Sequence, residues 1–253
     1  MKSAIEKPDD LDQKDTALLF LDLIHRLMVH YTFWFRGVEY HLGMGKALDI
    51  METAWGSAYQ KQIERMSRIL NFDVENGIPR VLLTIPDDIM RGMLQSIGIS
   101  WIANSGVWFD SIEETTGMLD AKKCNDSMWE RFSPFEAWSI KRFLGLEEFP
   151  GLEGLKKALR FRLYAFINEE NIIDEAPGKI IFQTNKCFIQ MTRKKKDLQE
   201  YPCKSAGFVE FGTFAETIDS RIKTECITCP PDPHPDGWYC SWSFTIPDVG
   251  GRT

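Results

Sequence analysis

The sequence predicts an α+β protein: an N-terminal helical bundle built from a duplicated unit, followed by an antiparallel sheet with a central helix and a four-cysteine metal site. Three observations predict this class. Long stretches in the first half place apolar residues three and four positions apart, which is the helical period. Those stretches recur at a fixed offset. The second half has short β-type runs between turn residues, and four of its cysteines are spaced like metal ligands.

The internal repeat covers residues 34–70 and 108–144, which align without a gap at an offset of 74 positions. Nine of these 37 positions are identical, where composition alone gives about two or three. The identical pairs are Trp34/Trp108, Phe35/Phe109, Glu39/Glu113, Gly43/Gly117, Met44/Met118, Ala47/Ala121, Trp55/Trp129, Arg68/Arg142 and Leu70/Leu144. In the first copy, one helix is expected to end near Gly43 and another to span residues 47–70. The second copy is expected to begin at Pro86 and end near Gly145.

Two such units are expected to pack into one bundle with pseudo-symmetry, which predicts a helical domain over residues 15–146. The matched pair Glu39 and Glu113 allows two interpretations. The carboxylates could flank a metal or substrate in the bundle, or each could brace its own helix turn. Neither copy contains Glu-x-x-His, and the histidines of the first copy have no counterparts in the second. Bracing is therefore the preferred interpretation, and the Trp-Phe pairs are expected to be core residues.

An α+β domain is predicted over residues 147–247. Its first helix is GLEGLKKAL, and its last strands are expected at residues 222–226 and 238–246. Between these lie four β-type runs, RFRLYAF, NIID, KIIFQT and CFIQMT. The basic run RKKK at 193–196 is expected to be a solvated loop, with a phosphate, acidic-ligand or coenzyme contact as the alternative. A helix capped by Ser205 follows, in which Gly207 and Gly212 would allow close approach to the sheet.

Four cysteines have the spacing of a zinc site. Cys226 and Cys229 form a C-x2-C at the end of a predicted strand, and Cys240 lies on the next strand. Cys203 precedes the central helix, whose positive N-terminus favours a thiolate. Four thiolates complete a tetrahedral shell without an open position, which is typical of structural zinc.

Other chemistries fit parts of the same pattern. Iron or an iron–sulfur cluster also takes four thiolates. His234 could replace one cysteine and leave an exchangeable or catalytic position. Cys226 and Cys229 could form a thioredoxin-like redox pair, although the strand-to-helix turn of that motif is missing. The remaining thiols, Cys124 and Cys187, are expected to be buried side chains without a chemical role.

Charge and hydropathy argue against two classes of partner. The net charge is −7 and the pI is near 5.3, whereas general nucleic-acid binding needs a basic face. The most apolar stretch, residues 16–35, is interrupted by Asp22, His25, Arg26 and His30, so it predicts an amphipathic helix and no membrane span. The charged opening MKSAIEKPDD is unlike a signal peptide, which predicts a cytoplasmic protein with reduced thiols.

The segments KCFIQMTRKKKDL, YPCKSAGFVEFGTFAETID and RIKTECITCPPDPHPDGWYCSWSF resemble an uncharacterised family of prokaryotic cytosolic proteins. More distantly, the order of cysteine, helix with G-x-x-x-x-G, E-C-x-x-C strand and closing cysteine is similar to the vinyl-4-reductase-type domain and to the sensory domains of phenol-responsive activators. In that comparison Cys203, Cys229 and Cys240 match cysteine ligands, and Cys226 falls where the sensors have a glutamate. The insert between Cys229 and Cys240 is longer here.

This resemblance implies an α/β fold with a buried pocket for a small hydrophobic ligand, commonly in a homodimer. The first functional hypothesis is therefore a sensor-like, small-molecule-binding protein, with its pocket between the helix at 205–218, the sheet and the helical domain, and with structural zinc. The alternative is a metal-containing hydrolase or lyase acting on a small heterocyclic or carboxylate substrate, because thiazoline-carboxylate hydrolases look distantly alike. Its acid–base candidates are Glu210, Glu225, Asp232 and His234, and no motif assigns any of them a role. A purely structural scaffold is the third hypothesis.

Overall fold

The computed structural model describes residues 6–247 and divides the chain into two compact units, Met1–Leu83 and Thr84–Thr253. Long helices occupy the N-terminal half, and two antiparallel sheets are present. The α+β class predicted from the sequence is therefore confirmed. Within the described residues, no helix combines the length and apolarity needed to cross a bilayer.

The first unit is a helical hairpin with a short β-ribbon. Helix α1 spans Gln13–Leu42 and α2 spans Met44–Leu70. Asp12 caps α1, because its side chain accepts a hydrogen bond of 2.8 Å from the Asp15 amide. Strands β1 (Val74–Glu75) and β2 (Ile78–Pro79) follow, and the short helix α3 (Arg80–Thr84) ends where the second unit begins.

A second helical hairpin opens the second unit. Helix α4 spans Asp87–Thr116 and α5 spans Met118–Phe143. Both ends of α4, and the start of α5, lie 74 positions after those of α1 and α2, so the repeat found in the sequence is a repeat of structure. The turn in each hairpin is a single glycine with positive φ, +81° at Gly43 and +95° at Gly117. Each glycine amide donates to the carbonyl of the matched glutamate, Glu39 or Glu113, at 2.9 Å.

The remainder of the second unit surrounds a four-stranded antiparallel sheet. Its elements are α6 (Gly151–Leu159), a 3-10 segment (Leu163–Phe166), β3 (Glu169–Ala176), β4 (Lys179–Lys186), α7 (Phe188–Lys195), α8 (Lys204–Ile218), β5 (Lys223–Thr228) and β6 (Cys240–Thr245). The strand order is β3-β4-β6-β5. In register, Phe182 of β4 and Cys226 of β5 both lie opposite Trp242 of β6. These three side chains therefore share one face.

Helix α8 covers that face of the sheet and forms the core with it. Phe211 lies 5.4 Å from Phe182 and 4.9 Å from Trp242 between ring centroids. Phe214 and Ile218 of α8 are fully buried in the same cluster. Helices α5 and α6 complete it with Ala137, Ile140, Leu155, Ala158 and Leu159. The central helix predicted from the sequence is thus the centre of the core.

Two of the four predicted β-type runs are not strands. RFRLYAF is a turn followed by the 3-10 segment, and CFIQMT lies mostly in α7. Their apolar residues satisfy a strand pattern, but Arg162 within the first run is buried and pairs with Glu136 of α5 and Glu210 of α8. Helix α8 starts with Cys203 at its N-cap and without the predicted Ser205 cap. The basic run at 193–196 is largely the exposed end of α7 and not a loop.

The close approach of α8 to the sheet depends on Gly207. A Cβ atom at this position would lie 2.5 Å from Trp242 Cζ2 and 3.1 Å from its Cη2, whereas one at Gly212 would meet nothing within 4 Å. The indole is fully buried, and the close packing of a protein interior leaves it little room to shift. The predicted role of a small residue therefore applies to Gly207 and not to Gly212.

Gly207→Ala is expected to lower the free energy of unfolding by about 1–3 kcal/mol, because the added methyl overpacks a rigid core. Gly212→Ala is the matched control in the same helix and is expected to raise stability by about 0.5–1 kcal/mol through helix propensity. Urea unfolding followed by circular dichroism measures both. Equal effects of the two substitutions would show that α8 does not need the small residue against Trp242.

Candidate functional site

The four predicted metal ligands lie around the N-terminus of α8. Cys203 directly precedes the helix, Cys226 lies on β5, Cys229 follows the end of that strand, and Cys240 begins β6. Cys226 and Cys240 share the sheet face of Trp242, since Cys226 is paired with Trp242 and Cys240 is two residues before it. The Lys204 amide donates a hydrogen bond of 2.9 Å to the Pro230 carbonyl, which ties the start of α8 to the loop after Cys229.

The thiols interact with one another and with nearby polar groups. Cys229 is hydrogen-bonded to Cys240. The Cys240 sulfur also lies 3.5 Å from Thr184 Oγ1, and Gln190 Nε2 donates to the Cys203 sulfur at 3.4 Å. All four cysteines belong to, or pack against, the main hydrophobic cluster. The thiols are therefore held in an apolar, largely water-excluded environment.

Burial and mutual proximity shift the pKa values of these thiols. Burial raises the pKa of Cys203 well above its usual value, and neighbouring Cys187 and Cys240 add to that effect. The pKa of Cys229 is raised because it donates a hydrogen bond to Cys240, and burial adds to the rise. The pKa of Cys240 is lowered by the same hydrogen bond. In this pair, Cys240 is the sulfur that ionises more readily.

Soft thiol donors of this kind suit zinc or iron. The N–H of Trp242 supports the same assignment: it is buried and makes no hydrogen bond of normal geometry, yet it lies close enough to Cys240 to favour its thiolate. Across residues 6–247, however, no group of three or more His, Cys, Asp or Glu side chains is arranged so that it could hold a metal ion. The donor chemistry fits, and binding would require the four sulfurs to draw together.

Two of the predicted acid–base candidates, Asp232 and His234, have other polar partners, and His234 was also the predicted substitute for a cysteine. His234 Nε2 lies 3.1 Å from both carboxylate oxygens of Glu200, and its Nδ1 lies 2.9 Å from the Pro235 carbonyl. Burial alone would lower the pKa of His234, but these two contacts outweigh it and raise the pKa. Asp232 pairs with Lys204 at 2.6 Å. Glu225 is exposed on β5.

The two remaining thiols differ from each other. Cys187 is half-buried, and burial raises its pKa to about 12, so it stays protonated. Cys124 is exposed on α5. The expectation that both are buried is wrong for Cys124, which is exposed although Ala121, three residues earlier on α5, is fully buried.

A buried ion-pair cluster was not recognised from the sequence. Arg162, only 1% exposed, donates from Nε to Glu136 at 3.0 Å and from its terminal nitrogen to Glu210. The Leu163 amide donates to the second oxygen of Glu136 at 2.8 Å. The guanidinium also lies 4.9 Å from the ring centre of Phe214. These contacts join α5, the 3-10 segment and α8 beneath the surface.

This cluster contains more carboxylates than cations, and the pKa values of its members are shifted. Burial would lower the pKa of Arg162, but the two glutamates more than compensate and raise it. Glu210 has a raised pKa because burial outweighs its contact with Arg162. Glu170, on β3, is raised to about 7, chiefly by burial and against the opposing effects of Arg162 and Asn168. Glu210 was a predicted acid–base candidate, and the structure places it in a sealed ion pair.

The region where the sequence predicted a ligand pocket, between α8 and the sheet, is filled by Phe182, Phe211, Trp242 and their neighbours. A shallow cavity of about 690 Å³, broadly open to solvent, lies elsewhere, at the end of the sheet. It is lined by the apolar residues Pro150, Leu152, Ala176, Pro177, Ile180 and Ile246 and by the charged residues Glu153, Asp174 and Lys179. A second cavity of about 330 Å³ borders α8 and the start of β5.

Fold and site together define an α+β protein with a cysteine cluster between its central helix and the edge of its sheet. The family model described as "Family of unknown function (DUF6125)" matches residues 84–246, and the chain belongs to this family. No curated protein and no solved structure matches the chain. The predicted membership of an uncharacterised family is confirmed. The matched residues lie within the second unit and do not include α1 and α2.

Arg162→Met is expected to lower the free energy of unfolding by about 3–5 kcal/mol at pH 7, because two buried glutamates lose their cation. Arg160→Met, at an exposed position two residues earlier, is the matched control and is expected to change stability by less than about 0.5 kcal/mol. Chemical denaturation measures both variants. A small effect of the Arg162 substitution would contradict the structural role assigned to the cluster.

Glu170→Gln tests the raised pKa of about 7. In the folded protein Glu170 holds its proton up to that pH, and in the unfolded chain only to about 4.3. The protein therefore loses stability as the pH rises from about 4.5 to 7. The glutamine variant should avoid this loss and be more stable at pH 8 by on the order of 2 kcal/mol.

The two proteins should converge near pH 4.5, where both side chains are neutral. Glu147→Gln, at an exposed position, removes one carboxylate without touching the cluster and serves as the control. Unfolding free energies measured across pH 4.5–8 give the comparison. Parallel curves for the wild type and Glu170→Gln would show that Glu170 has an ordinary pKa.

Proposed function

We propose that this chain is a small-molecule-binding, sensor-like cytoplasmic protein, a homodimer, in which Cys203, Cys226, Cys229 and Cys240 hold one structural zinc ion. The observation that carries the proposal is the separation of two features along β6. The thiols lie at the start of this strand, and the 690 Å³ cavity meets its far end at Ile246. Six residues of strand span roughly 20 Å. A metal at the thiols is therefore remote from the cavity.

Zinc at this position would stabilise the fold. Cys203 belongs to the start of α8, and the other three cysteines belong to β5, its following loop and β6. A metal bound to all four would join the central helix to the edge of the sheet, and its binding free energy would add to the free energy of folding. The Trp242 N–H and the Gln190 amide would then serve as hydrogen-bond donors to bound sulfur.

The volume of the cavity lies in the range of small-ligand sites, and the cavity is broadly open to solvent. Its volume of about 690 Å³ falls within the roughly 300–1,000 Å³ of such sites. Six of its eleven lining residues carry apolar side chains. Three are charged: Glu153 and Asp174, which both pair with Lys156, and Lys179, which pairs with Glu175. A small hydrophobic molecule with one polar group, such as a phenol, fits this division.

The hydrolase or lyase alternative has less support. Its four acid–base candidates are dispersed: Glu210 is sealed with Arg162, Asp232 is paired with Lys204, His234 is paired with Glu200, and Glu225 is exposed. None of the four lines either of the cavities described above. General acid–base catalysis needs the group within hydrogen-bond reach of a bound substrate.

Metal analysis with a matched pair of serine variants tests the zinc assignment. The purified protein is expected to contain about one zinc per chain. Cys229→Ser should lose this zinc and about 4 kcal/mol or more of stability, since metal loss is among the largest single-site effects. Cys124→Ser changes an exposed thiol and should preserve both quantities. Unchanged zinc content and Tm in Cys229→Ser would refute a structural zinc bound by these residues.

Phenol titration, followed by calorimetry and by the shift in Tm, tests the cavity. Ala176→Trp should fill the cavity and abolish binding. Glu175→Trp adds the same side chain to the neighbouring position, which does not line the cavity, and should leave binding unchanged. If phenol binds equally well to both variants, the ligand site lies elsewhere.

A further inference from the structure

The α1–α2 hairpin has almost no core of its own. Among its residues, 13–70, all of which the structure describes, only Ala47 and Leu48 are buried. Sixteen large apolar side chains are between 38% and 76% exposed. They are Leu18, Phe20, Leu21, Leu23, Ile24, Leu27, Met28, Val29, Phe33, Trp34, Tyr40, Leu42, Ile50, Trp55, Ile69 and Leu70. Most helical stability in proteins comes from packing an amphipathic face against other elements, and most large apolar side chains of this hairpin are instead exposed to solvent.

The repeat allows burial to be compared at matched positions of the two hairpins. Ala47 and its counterpart Ala121 are both buried, so the contact inside each hairpin is the same. Trp55 and its counterpart Trp129 differ: Trp55 is 56% exposed and Trp129 is 4% exposed. Trp129 is covered by Trp101, Phe132 and Tyr164, and Tyr164 comes from the 3-10 segment. In the first hairpin the matched side chain, Trp55, is not covered in this way and stays exposed to solvent.

The uncovered surface is large enough for a stable interface. Five of the sixteen are aromatic and can each bury roughly 150–250 Å², and the eleven aliphatic ones can each bury roughly 60–120 Å². At about half exposure, the sixteen together offer on the order of 1,000 Å². A standard stable complex buries about 800 Å² on each partner, and the largest apolar patch on a typical monomer is only about 300–600 Å².

The charge of the hairpin favours a second copy as its partner. Residues 13–70 contain seven Lys and Arg and six Asp and Glu, a net charge of +1, whereas the whole chain carries −7. Two hairpins can therefore approach each other without the repulsion that the rest of the acidic chain would produce. A charge of +1 gives little attraction to an anionic membrane or nucleic acid.

We propose that the α1–α2 hairpin is a dimerisation surface, which pairs with the α1–α2 hairpin of a second copy around a two-fold axis to form a four-helix bundle. This assigns an interface to the homodimer proposed above. The family match begins at residue 84, so the surface belongs to the part of the chain outside the matched region. The second unit keeps its own core, cysteines and cavity in either state.

Light scattering coupled to size exclusion tests the assignment. The wild type should have twice the 29.2 kDa mass of one chain. Leu21→Glu/Met28→Glu places two charges seven residues apart on one stripe of α1 and should reduce the mass twofold, to that of one chain. Leu119→Glu/Leu198→Glu changes two exposed leucines outside the hairpin and should keep the doubled mass.

Hydrogen exchange of the wild type tests the proposed interface without any substitution. The amides of α1 and α2 should lose protection when the protein is diluted, while those of the α8 core should not. Zinc content and the phenol-induced Tm shift, measured in the Leu21→Glu/Met28→Glu variant, are expected to match the wild type. If the wild type itself contains no zinc and shows no phenol-induced Tm shift, the proposed zinc and ligand sites are refuted. That result would not affect the proposed interface.

Three results would overturn the interface. The first is a wild type with the mass of one chain, whether its hairpin stays exposed or binds phosphatidylcholine vesicles. The second is a Leu21→Glu/Met28→Glu variant that keeps twice that mass, which would place the contact on another surface. The third is equal disruption by the control pair.

Discussion

The second unit depends on the ion pairs of one buried arginine. Arg162 sits where α5, the 3-10 segment and α8 meet, and it satisfies a glutamate from each of the two helices. A guanidinium can do this because its planar fork offers several donors in fixed directions. Once the helices are joined in this way, the position of α8 on the sheet is set, and with it the position of Cys203 at the start of that helix.

The placement of α8 has consequences at both ends of the sheet. Near its N-terminus, the contact of Gly207 with Trp242 brings the helix close enough for Cys203 to join the thiols of β5 and β6. At the opposite end, Asp219, directly after α8, accepts a hydrogen bond from the Gly151 amide at the start of α6. Gly151 also lines the larger cavity. The arrangement keeps the cysteine cluster and the cavity apart, although one helix spans the distance between them.

Much of the fold could be predicted from local patterns. The duplicated hairpins, the glycine turns, α6 and the pairs of strands around Pro177-Gly178 and after α8 follow from periodicity and turn chemistry. The errors arose where an apolar pattern was ambiguous: RFRLYAF and CFIQMT satisfy a strand period, yet one holds the buried arginine and the other forms α7. Arg162 carried no sequence signal of its own, since its partners are 26 and 48 residues away. Cys226, Cys229 and Cys240 are close in the sequence and lie on or next to two paired strands. Cys203 is far upstream of them, and only the packing of α8 on the sheet decides its position.

By itself, the sequence determined the α+β class, the repeat and the four cysteines, because each depends on residue types at short, regular intervals. Only the tertiary structure decided which polar residues are sealed from water, where a cavity remains, and which apolar faces are covered. Glu210 and Glu225 are indistinguishable as residue types, yet one lies in a buried ion pair and the other is exposed on β5. Likewise, Trp55 and Trp129 occupy matched positions in the repeat and differ only in what packs over them. Such differences come from contacts between distant segments, and local periodicity contains no information about those contacts.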